Sequence, residues 1–433
     1  MNDIATWDGS RWGALGTAGR MNGIQSSVTA LGSDGTNLFA GGFFSYAGRT
    51  NAGFIARFDG TNWQSLGPGL NNQVAAIAVT NNRVYAGGFF TGTLNGQSLP
   101  YVGLWDGTNW NSLGSAGGLV YALAIGTNGV YAAGTYYTGT VYGSPFFNRW
   151  DGTSWQAVLA FTNNTFFAVP LTDPVGYDAI AIQGTNIYLG GNITGFTQFD
   201  PDVLPWTYTN CGNIVRFDGT WSWIMGTGLN KTNVALAVLG TNVFAAGSFT
   251  LAGGVPANQI AVWNGYTWSS VGGSVIGNGT VLTLTTIGNT LYAGGTFTNM
   301  GGITVNRIAK WDGTSWSALG NGSSGAVQSL AASGSELYAG GSLRYAGDKP
   351  SYNLARWNGQ KNFDTPQISP LSAGNGQFQM RLSAISGMTN IIQATTNLTS
   401  WTPVLTNSTG IYDFTDPNSS SYPRRFYRAF LGP

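Results

Sequence analysis

Eight copies of one short motif, an aromatic residue followed by Asp-Gly or Asn-Gly, divide most of this chain into repeats. The motif starts at Trp7, Phe58, Trp105, Trp150, Phe217, Trp263, Trp311 and Trp357. Successive copies lie 51, 47, 45, 67, 46, 48 and 46 residues apart. Because Asp-Gly and Asn-Gly tolerate the positive φ of tight turns, each copy predicts a hairpin at the same place in its repeat.

A period of about 40 to 50 residues is typical of a β-propeller, in which each repeat forms one four-stranded blade. In the second repeat, strands are predicted over Val74–Val79, Val84–Ala86, Val102–Trp105 and Trp110–Leu113, with a turn at Asn81-Asn82. No stretch shows sustained helical periodicity, so the predicted fold class is all-β.

The first two strands keep a constant register across the repeats. First strands are expected to begin at Val28, Val74, Val120, Tyr177, Asn233, Val281 and Val327, with an aromatic residue of the second strand eleven positions later each time. Seven such strands predict a seven-bladed propeller. The last repeat lacks a fourth strand, which Trp12–Gly16 at the N-terminus is predicted to supply, closing the ring. Because Ile4–Trp7 is an eighth third-strand segment, an eight-bladed propeller stays open as the alternative.

The repeats resemble those of kelch-type and galactose-oxidase-type propellers in the Gly-Gly that ends the second strand and in the later Trp. They are more similar still to the Tyr-Ala-Gly-Gly…Trp-Asp-Gly…Trp repeats of uncharacterised secreted bacterial proteins. The resemblance covers Ile4 to Asn362 and implies a propeller over residues 1–362. It implies no single function, because propellers serve as enzymes, receptors and scaffolds.

Residues 363–433 are predicted to form a separate, small β-sandwich module. Phe363–Pro370 contains two prolines and is interpreted as a linker. Short strands are then predicted over Gln377–Ser383, Thr389–Ala394, Trp401–Leu405, Gly410–Phe414 and Arg424–Phe430. Thr396–Pro403 and Arg425–Arg428 resemble the C-terminal modules of large secreted bacterial proteins. That resemblance implies a sorting, attachment or carbohydrate-contacting role, or an accessory packing domain.

The composition excludes several kinds of chemistry. The chain has no histidine, one glutamate (Glu336) and one cysteine (Cys211). Ser-His-Asp hydrolysis, histidine-ligated metals and the copper chemistry of galactose oxidase are therefore excluded, as is an internal disulfide. We predict no cofactor and assign no metal. A net charge of +1, with 8% charged residues, argues against nucleic-acid binding. No run of eighteen apolar residues predicts membrane insertion.

The fourth repeat carries two insertions that are predicted to lie on one face of the propeller. Phe161–Gly176 extends the loop before its first strand, and Thr194–Asn213 extends the loop between its second and third strands. The candidate ligand-binding residues on this face are Asp173, Asp178, Asp200, Asp202, Trp206, Tyr208, Tyr121 and Gln328. Tyr121, Asp178 and Gln328 occupy the second position of their first strands, a variable position expected at the mouth of the central channel. Calcium at Asp200 and Asp202 is a weaker alternative, because hard cations prefer several oxygen ligands.

Three functional hypotheses follow. The favoured one is a non-catalytic, monomeric binding or scaffold propeller, secreted or on a bacterial cell surface, that recognises a polysaccharide or a surface protein. The second is a glycan-active enzyme with two of the fourth-repeat aspartates as acid and base. The third is a purely structural array. No signal peptide is visible at Met1-Asn2-Asp3. Because the chain opens inside a repeat, Met1 is interpreted as an artificial start or as the N-terminus of a trimmed precursor.

Overall fold

The computed structural model describes residues 5–7, 12–14, 23–80, 83–137, 142–158, 177–193, 195–200, 203–220, 222–273, 275, 279–347, 349–357, 367–371, 377–383, 389–407, 411–422 and 424–431. Over these ranges the protein is all-β, apart from one turn of 3-10 helix at Ser419–Ser421. Within them no helix is long and apolar enough to cross a membrane. The chain forms two compact units, of which the larger contains residues 12–358 and the smaller residues 359–433. The predicted domain boundary at 362/363 falls outside the described residues.

The larger unit is a β-propeller built from antiparallel sheets, numbered one to seven in chain order within the described ranges. The first strands are Val28–Ser33, Val74–Thr80, Gly118–Gly126, Tyr177–Gln183, Asn233–Leu239, Val281–Ile287 and Val327–Ser333. The second strands are Leu38–Gly42, Arg83–Gly88, Gly129–Tyr137, Asn186–Gly191, Asn242–Gly247, Thr290–Gly295 and Glu336–Gly341. The third strands are Ile55–Phe58, Val102–Trp105, Tyr142–Trp150, Ile214–Phe217, Ile260–Trp263, Ile308–Trp311 and Leu354–Trp357. The fourth strands of sheets one to six are Trp63–Ser65, Trp110–Ser112, Trp155–Ala157, Ser222–Ile224, Trp268–Ser270 and Trp316–Ala318.

The predicted register between first and second strands is confirmed. In sheet two Ala78 lies opposite Tyr85, and in sheet seven Ala331 lies opposite Tyr338. A small residue opposite an aromatic ring lets the next sheet pack closely, and the core accordingly lies between sheets. The first strands contact one another in sequence, and Val28–Ser33 also contacts the first strand of sheet seven.

In sheets two, five and six the tryptophan that begins the fourth strand binds its sheet to the one before it. The indole Nε1 of Trp110 donates to the Leu66 carbonyl oxygen at 2.9 Å, and Trp316 donates to Val271 at 3.0 Å. Trp268 makes the equivalent bond to Met225 at 2.7 Å. These three indoles are buried, so each bond satisfies a donor that water cannot reach.

The N-terminus joins sheet seven in a different way from the one predicted. Ala5–Trp7 occupies the fourth place, beside Leu354–Trp357, and Trp12–Ala14 lies outside it as a fifth strand. The prediction that Trp12–Gly16 supplies the fourth strand was therefore wrong. Both N-terminal strands are added to sheet seven beyond its third strand.

The connections between second and third strands form small hairpins of their own. They pair Tyr46–Ala47 with Thr50–Asn51, Gly195–Asp200 with Val203–Asn210, Leu251–Ala252 with Val255–Pro256, Asn299–Met300 with Ile303–Thr304, and Tyr345–Ala346 with Lys349–Pro350. The Thr194–Asn213 insertion, predicted as an extended loop, is therefore mostly a β-hairpin. The sequence Asp-Pro-Asp between its two strands is of a type common in turns.

The smaller unit contains two three-stranded sheets. One has the order Gln367–Pro370, Phe378–Ser383, Ile411–Asp416, and the other the order Thr402–Asn407, Asn390–Thr395, Phe426–Leu431. Met380 from the first sheet and Ile392 from the second share one apolar cluster. The interpretation of Phe363–Pro370 as a linker was wrong over its last four residues, which form an edge strand. Pro370 is tolerated there because an edge strand pairs on one side only.

Candidate functional site

The two faces of the propeller are built differently. The face at which first and third strands begin, called the loop face here, carries the fourth-to-first and second-to-third connections. The opposite face, called the turn face, carries the first-to-second and third-to-fourth turns, including the Asp-Gly motifs. This division follows from the antiparallel strand order of each sheet.

On the turn face the repeated aspartates accept hydrogen bonds from backbone N–H groups of their own turns. The Asp106 Oδ1 accepts from the backbone N–H of Thr108 at 2.9 Å and of Asn109 at 2.8 Å. Asp59, Asp151 and Asp312 accept the equivalent pair of bonds, and Asn264 does so with its amide oxygen. The backbone N–H of Asn109, followed by that of Thr108, lowers the pKa of the Asp106 carboxyl. These aspartates are turn residues, as predicted.

Arg57 and Asp59 are connected through a third side chain, that of Gln64. Arg57 donates from Nη2 to Gln64 Oε1, and Gln64 Nε2 donates to Asp59 Oδ2 at 3.0 Å. The arginine also lowers the pKa of Asp59 through its charge, after the larger effect of the Asn62 backbone N–H.

On the loop face, every first strand contains a β-bulge. It lies at the second residue in six sheets and at the fourth residue, Tyr121, in sheet three, whose first strand begins at Gly118 and not at the predicted Val120. The ladder to the second strand skips one residue in each of the seven sheets, namely Thr29, Ala75, Tyr121, Asp178, Val234, Leu282 and Gln328. A bulge leaves one residue without a ladder partner and turns its side chain away from the regular alternation. The variable second position identified in the sequence is therefore the bulged position.

The Gly-Gly pair that ends most second strands is the counterpart of this bulge. A Cβ on Gly41 would lie 2.6 Å from Val74 Cγ1 of the next sheet, and a Cβ on Gly42 would overlap the Ser27 carbonyl oxygen. Gly340 meets Val28 in the same way where sheet seven packs on sheet one. The first glycine admits the neighbouring sheet and the second admits the bulged backbone.

The bulges surround a cavity of about 220 Å³ on the propeller axis. Residues of all seven first strands line it, and the bulged residues among them are Thr29, Ala75, Val234, Leu282 and Gln328. The described lining side chains are uncharged. Such a lining suits a neutral, hydroxyl- or amide-bearing group better than an ion.

At sheets seven and one the mouth of this cavity is polar. The Ser27 hydroxyl donates to Gln328 Oε1 and lies 3.4 Å from the Ser342 hydroxyl. The Thr29 hydroxyl donates to the Val74 carbonyl oxygen at 2.8 Å. The Gln328 side chain is thus held in place by a hydroxyl from the neighbouring sheet.

At sheets one to three the loop face is aromatic. The residue after the Gly-Gly pair is Phe43 in sheet one and Phe89 in sheet two, whereas sheets three to seven have Thr135, Asn192, Ser248, Thr296 and Ser342 there. Phe89 packs edge-on against Tyr121, with ring centroids 5.6 Å apart. The loop face therefore carries aromatic rings at sheets one to three and amide and hydroxyl groups at sheets seven and one. Gln328 also lines the cavity, whereas Tyr121 is not among its lining residues.

Six of the seven third strands are preceded by a non-glycine residue in the left-handed conformation, a feature that the sequence analysis missed. These residues are Phe54, Tyr101, Asn213, Gln259, Arg307 and Asn353, with φ between 64° and 68°. Four of their side chains reach the next sheet: Asn213 donates to Leu229 O, Gln259 to Gly279 O, Arg307 to Ser323 O and Asn353 to Ile24 O. The repeated Asn or Gln before an Ile or Leu strand was the available signal.

The structure describes the side chains of two of the eight predicted site residues. Tyr121 and Gln328 are bulged residues on the loop face. Asp178, Asp200, Trp206 and Tyr208 lie in described strands, but their side chains are outside the described part, as are Asp173 and Asp202 entirely. Whether these six approach Tyr121 or Gln328 stays a prediction.

Among the described residues no cluster of acidic or cysteine side chains could hold a metal ion. Cys211 is buried, and its thiol lies 3.5 Å from the Ile193 carbonyl oxygen. Burial raises the pKa of this thiol to about 11, so it is protonated at neutral pH and is a poor nucleophile.

Comparison with known proteins identifies no family for this chain. No protein-family model matches the chain, and no curated protein matches it. Solved structures similar to it include a computationally designed protein, Ika8, at 16% identity and a TM-score of 0.44, over 79% of this chain and 98% of that one. YCF48 bound to a D1 peptide matches at 10% identity and a TM-score of 0.41, over 74% and 91%. A puromycin-hydrolyzing peptidase of Mycobacterium tuberculosis matches at 10% identity and 0.41, over 83% and 58%. These structures are propellers, and similarity this weak carries no information about ligand or activity.

Proposed function

We propose that this protein is a non-catalytic binding propeller that recognises carbohydrate through its loop face. The observation that carries the proposal is the composition of the loop face, which carries both the Phe89–Tyr121 ring pair and the Ser27–Gln328 hydrogen bond. Aromatic rings provide apolar faces for sugar rings, and amide and hydroxyl groups exchange hydrogen bonds with sugar hydroxyls. Binding sites of this kind are concave and carry few, well-placed polar groups.

The described carboxylates give little support to catalysis. The turn-face aspartates accept backbone hydrogen bonds, which lower their pKa values and keep them ionised, so they are unsuited to act as general acids. An acid–base pair would have to come from Asp173, Asp178, Asp200 and Asp202.

The proposal also covers the number of blades, the role of the smaller unit and the location of the protein. We infer a seven-bladed ring in which the N-terminal hairpin completes sheet seven, since the first strand of sheet one contacts those of sheets two and seven. We interpret the smaller unit as a β-sandwich with an accessory role, and the resemblance to kelch-type repeats stays a prediction. A monomer that is secreted or displayed on a bacterial surface fits the low charge and high Asn, Thr and Gly content.

A glycan array tests this proposal. The full chain is compared with Tyr121→Ala and Gln328→Ala, and Tyr266→Ala on the turn face is the matched control because its side chain is 87% exposed. We expect the first two variants to lose array binding and the control to retain it, with unchanged melting temperatures confirming the fold. Release of reducing ends from a bound glycan would contradict the non-catalytic assignment.

A further inference from the structure

Exposed aromatic side chains are concentrated on the loop face where sheets seven and one meet. Tyr345 is 51% exposed, Tyr352 39% and Tyr46 48%. Tyr46 and Tyr345 hold the same position in the hairpins of adjacent sheets, each followed by a buried alanine. Their backbone is therefore anchored while their rings project into solvent.

Direct contacts connect these tyrosines into one surface. The Ile24 N–H donates to the Tyr352 carbonyl oxygen at 3.1 Å, and the Gln25 N–H donates to the Tyr46 carbonyl oxygen at 3.0 Å. The short segment 24–25 thus lies between Tyr352 of sheet seven and Tyr46 of sheet one. Asn353 donates to Ile24 at 2.8 Å and fixes the same segment.

Two exposed arginines accompany the tyrosines. Arg344 immediately precedes Tyr345, and Arg49 lies at the tip of the hairpin that begins with Tyr46. None of the ion pairs found among described side chains includes either arginine. The hairpins of sheets five and six carry no charged residue at the corresponding places, Thr250 and Gly254, and Thr298 and Gly302.

Charge is also divided between the two faces. Every carboxylate of the larger unit whose side chain the structure describes lies in a turn of the turn face: Asp34, Asp59, Asp106, Asp151, Asp218, Asp312 and Glu336. The arginines at sheets seven and one therefore face outward on the side away from these carboxylates. The sequence adds one acidic residue, Asp348, and one basic residue, Lys349, to the sheet-seven hairpin, so positive charge stays in excess beside the tyrosines. An excess of positive charge attracts anionic ligands.

We propose that Tyr46, Tyr345 and Tyr352, together with Arg49 and Arg344, bind an acidic polysaccharide. Sugar rings stack on the tyrosines, and carboxylate or sulfate groups of the polymer pair with the guanidinium groups, whose planar donors match such anions. The inference rests on the proposed carbohydrate-binding function and names the ligand class. These five residues are called the tyrosine–arginine surface below.

The test measures affinity of the full chain for polygalacturonate, dextran sulfate and neutral dextran by isothermal titration calorimetry. We expect binding to at least one of the two acidic polymers and none to dextran, with affinity falling as salt rises. Carboxylate and sulfate recognition are distinguished by which acidic polymer binds. Tyr46→Ala/Tyr345→Ala and Arg49→Ser/Arg344→Ser should each weaken binding tenfold or more.

Matched controls lie on the turn face. Tyr266→Ala and Arg83→Ser remove one exposed tyrosine and one exposed arginine by the same types of substitution, and are compared with the single substitutions Tyr345→Ala and Arg344→Ser. The controls should alter affinity less than twofold. An equal loss in control and test variants would overturn the inference. If neutral glycans bind through Tyr121 and Gln328 while no acidic polymer binds, the proposed function stands and the inference is overturned. If no glycan binds at all, both are overturned.

Discussion

The turn face and the loop face are made by the same repeat, yet they use their hydrogen bonds differently. On the turn face, Asp106 bonds to groups two and three residues away in its own hairpin. On the loop face, Asn353 and Gln328 bond to residues of the neighbouring sheet. One face fixes each sheet internally, whereas the other joins sheets and carries the residues that vary. The comparison indicates why ligand recognition can change on the loop face without loss of the repeat.

The largest expected difference in stability between the two faces comes from replacing a glycine by alanine. In Gly42→Ala the new Cβ overlaps the Ser27 carbonyl oxygen, so backbone must move, and we expect destabilisation of about 3 kcal/mol. Gly60→Ala on the turn face has open space around it and only an unfavourable φ of 93°, which costs about 1 to 2 kcal/mol. Urea unfolding of both variants measures the difference. Equal losses would show that the close approach at Gly42 is unimportant.

Removing an indole hydrogen bond should also destabilise the protein more at a contact between sheets than in an Asp-Gly turn, although the difference is smaller. Trp110→Phe leaves the buried Leu66 carbonyl oxygen without its indole donor, and we expect a loss of about 1 to 3 kcal/mol. Trp223→Phe removes a bond to Asp218 from a side chain that is half exposed, and should cost about 1 kcal/mol or less. Thermal unfolding, monitored by circular dichroism, ranks the two. A larger loss in Trp223→Phe would contradict the assignment of Trp110 as an inter-sheet bond.

Two substitutions of Asn353, the left-handed residue before the third strand of sheet seven, separate the effect of its backbone conformation on stability from the effect of its hydrogen bond. Asn353→Gly keeps the positive φ but removes the bond to Ile24, with an expected loss of about 1 kcal/mol. Asn353→Val adds the steric cost of a branched side chain at positive φ, about 1 to 2 kcal/mol more. Chemical unfolding of the two variants gives the two contributions. Identical stabilities would mean that φ at 353 relaxes without cost.

Acid should affect the turn face first. Backbone N–H groups lower the pKa values of Asp59 and Asp106 below their unfolded value of 3.8. The stabilisation is therefore complete above that value and is lost as the pH falls through the lower, folded pKa values. We expect the melting temperature to fall less between pH 5 and about pH 2 in a variant with asparagine at positions 59, 106, 151 and 312 than in the unsubstituted protein. Asn264 already makes the same turn bonds without a charge. An unchanged acid sensitivity in this variant would assign the effect to other groups.

Much of the propeller was predictable because its signals are local and repeated. Asp-Gly turns and the spacing from Val74 to Tyr85 depend on residues close in sequence, and both predictions are confirmed. The bulge was not predicted, although Tyr121 and Gln328 were recognised as occupying a variable position, because it depends on how Gly41 and Gly42 admit a neighbouring sheet. The N-terminal strands were misplaced because Ala5–Trp7 pairs with Leu354–Trp357, several hundred residues away in the sequence, and no local pattern reveals such a pairing. Four of the predicted site residues, Asp178, Asp200, Trp206 and Tyr208, are placed by backbone only.

Hydrogen–deuterium exchange of the full chain, with and without the glycan that binds it most tightly, tests the central claim most directly. We predict slower exchange in peptides covering 41–47, 87–93 and 326–330 on the loop face, and no change in peptides covering 59–62 and 106–109 on the turn face. Protection confined to the turn face or to residues 377–431 would contradict the assignment of the loop face as the binding face.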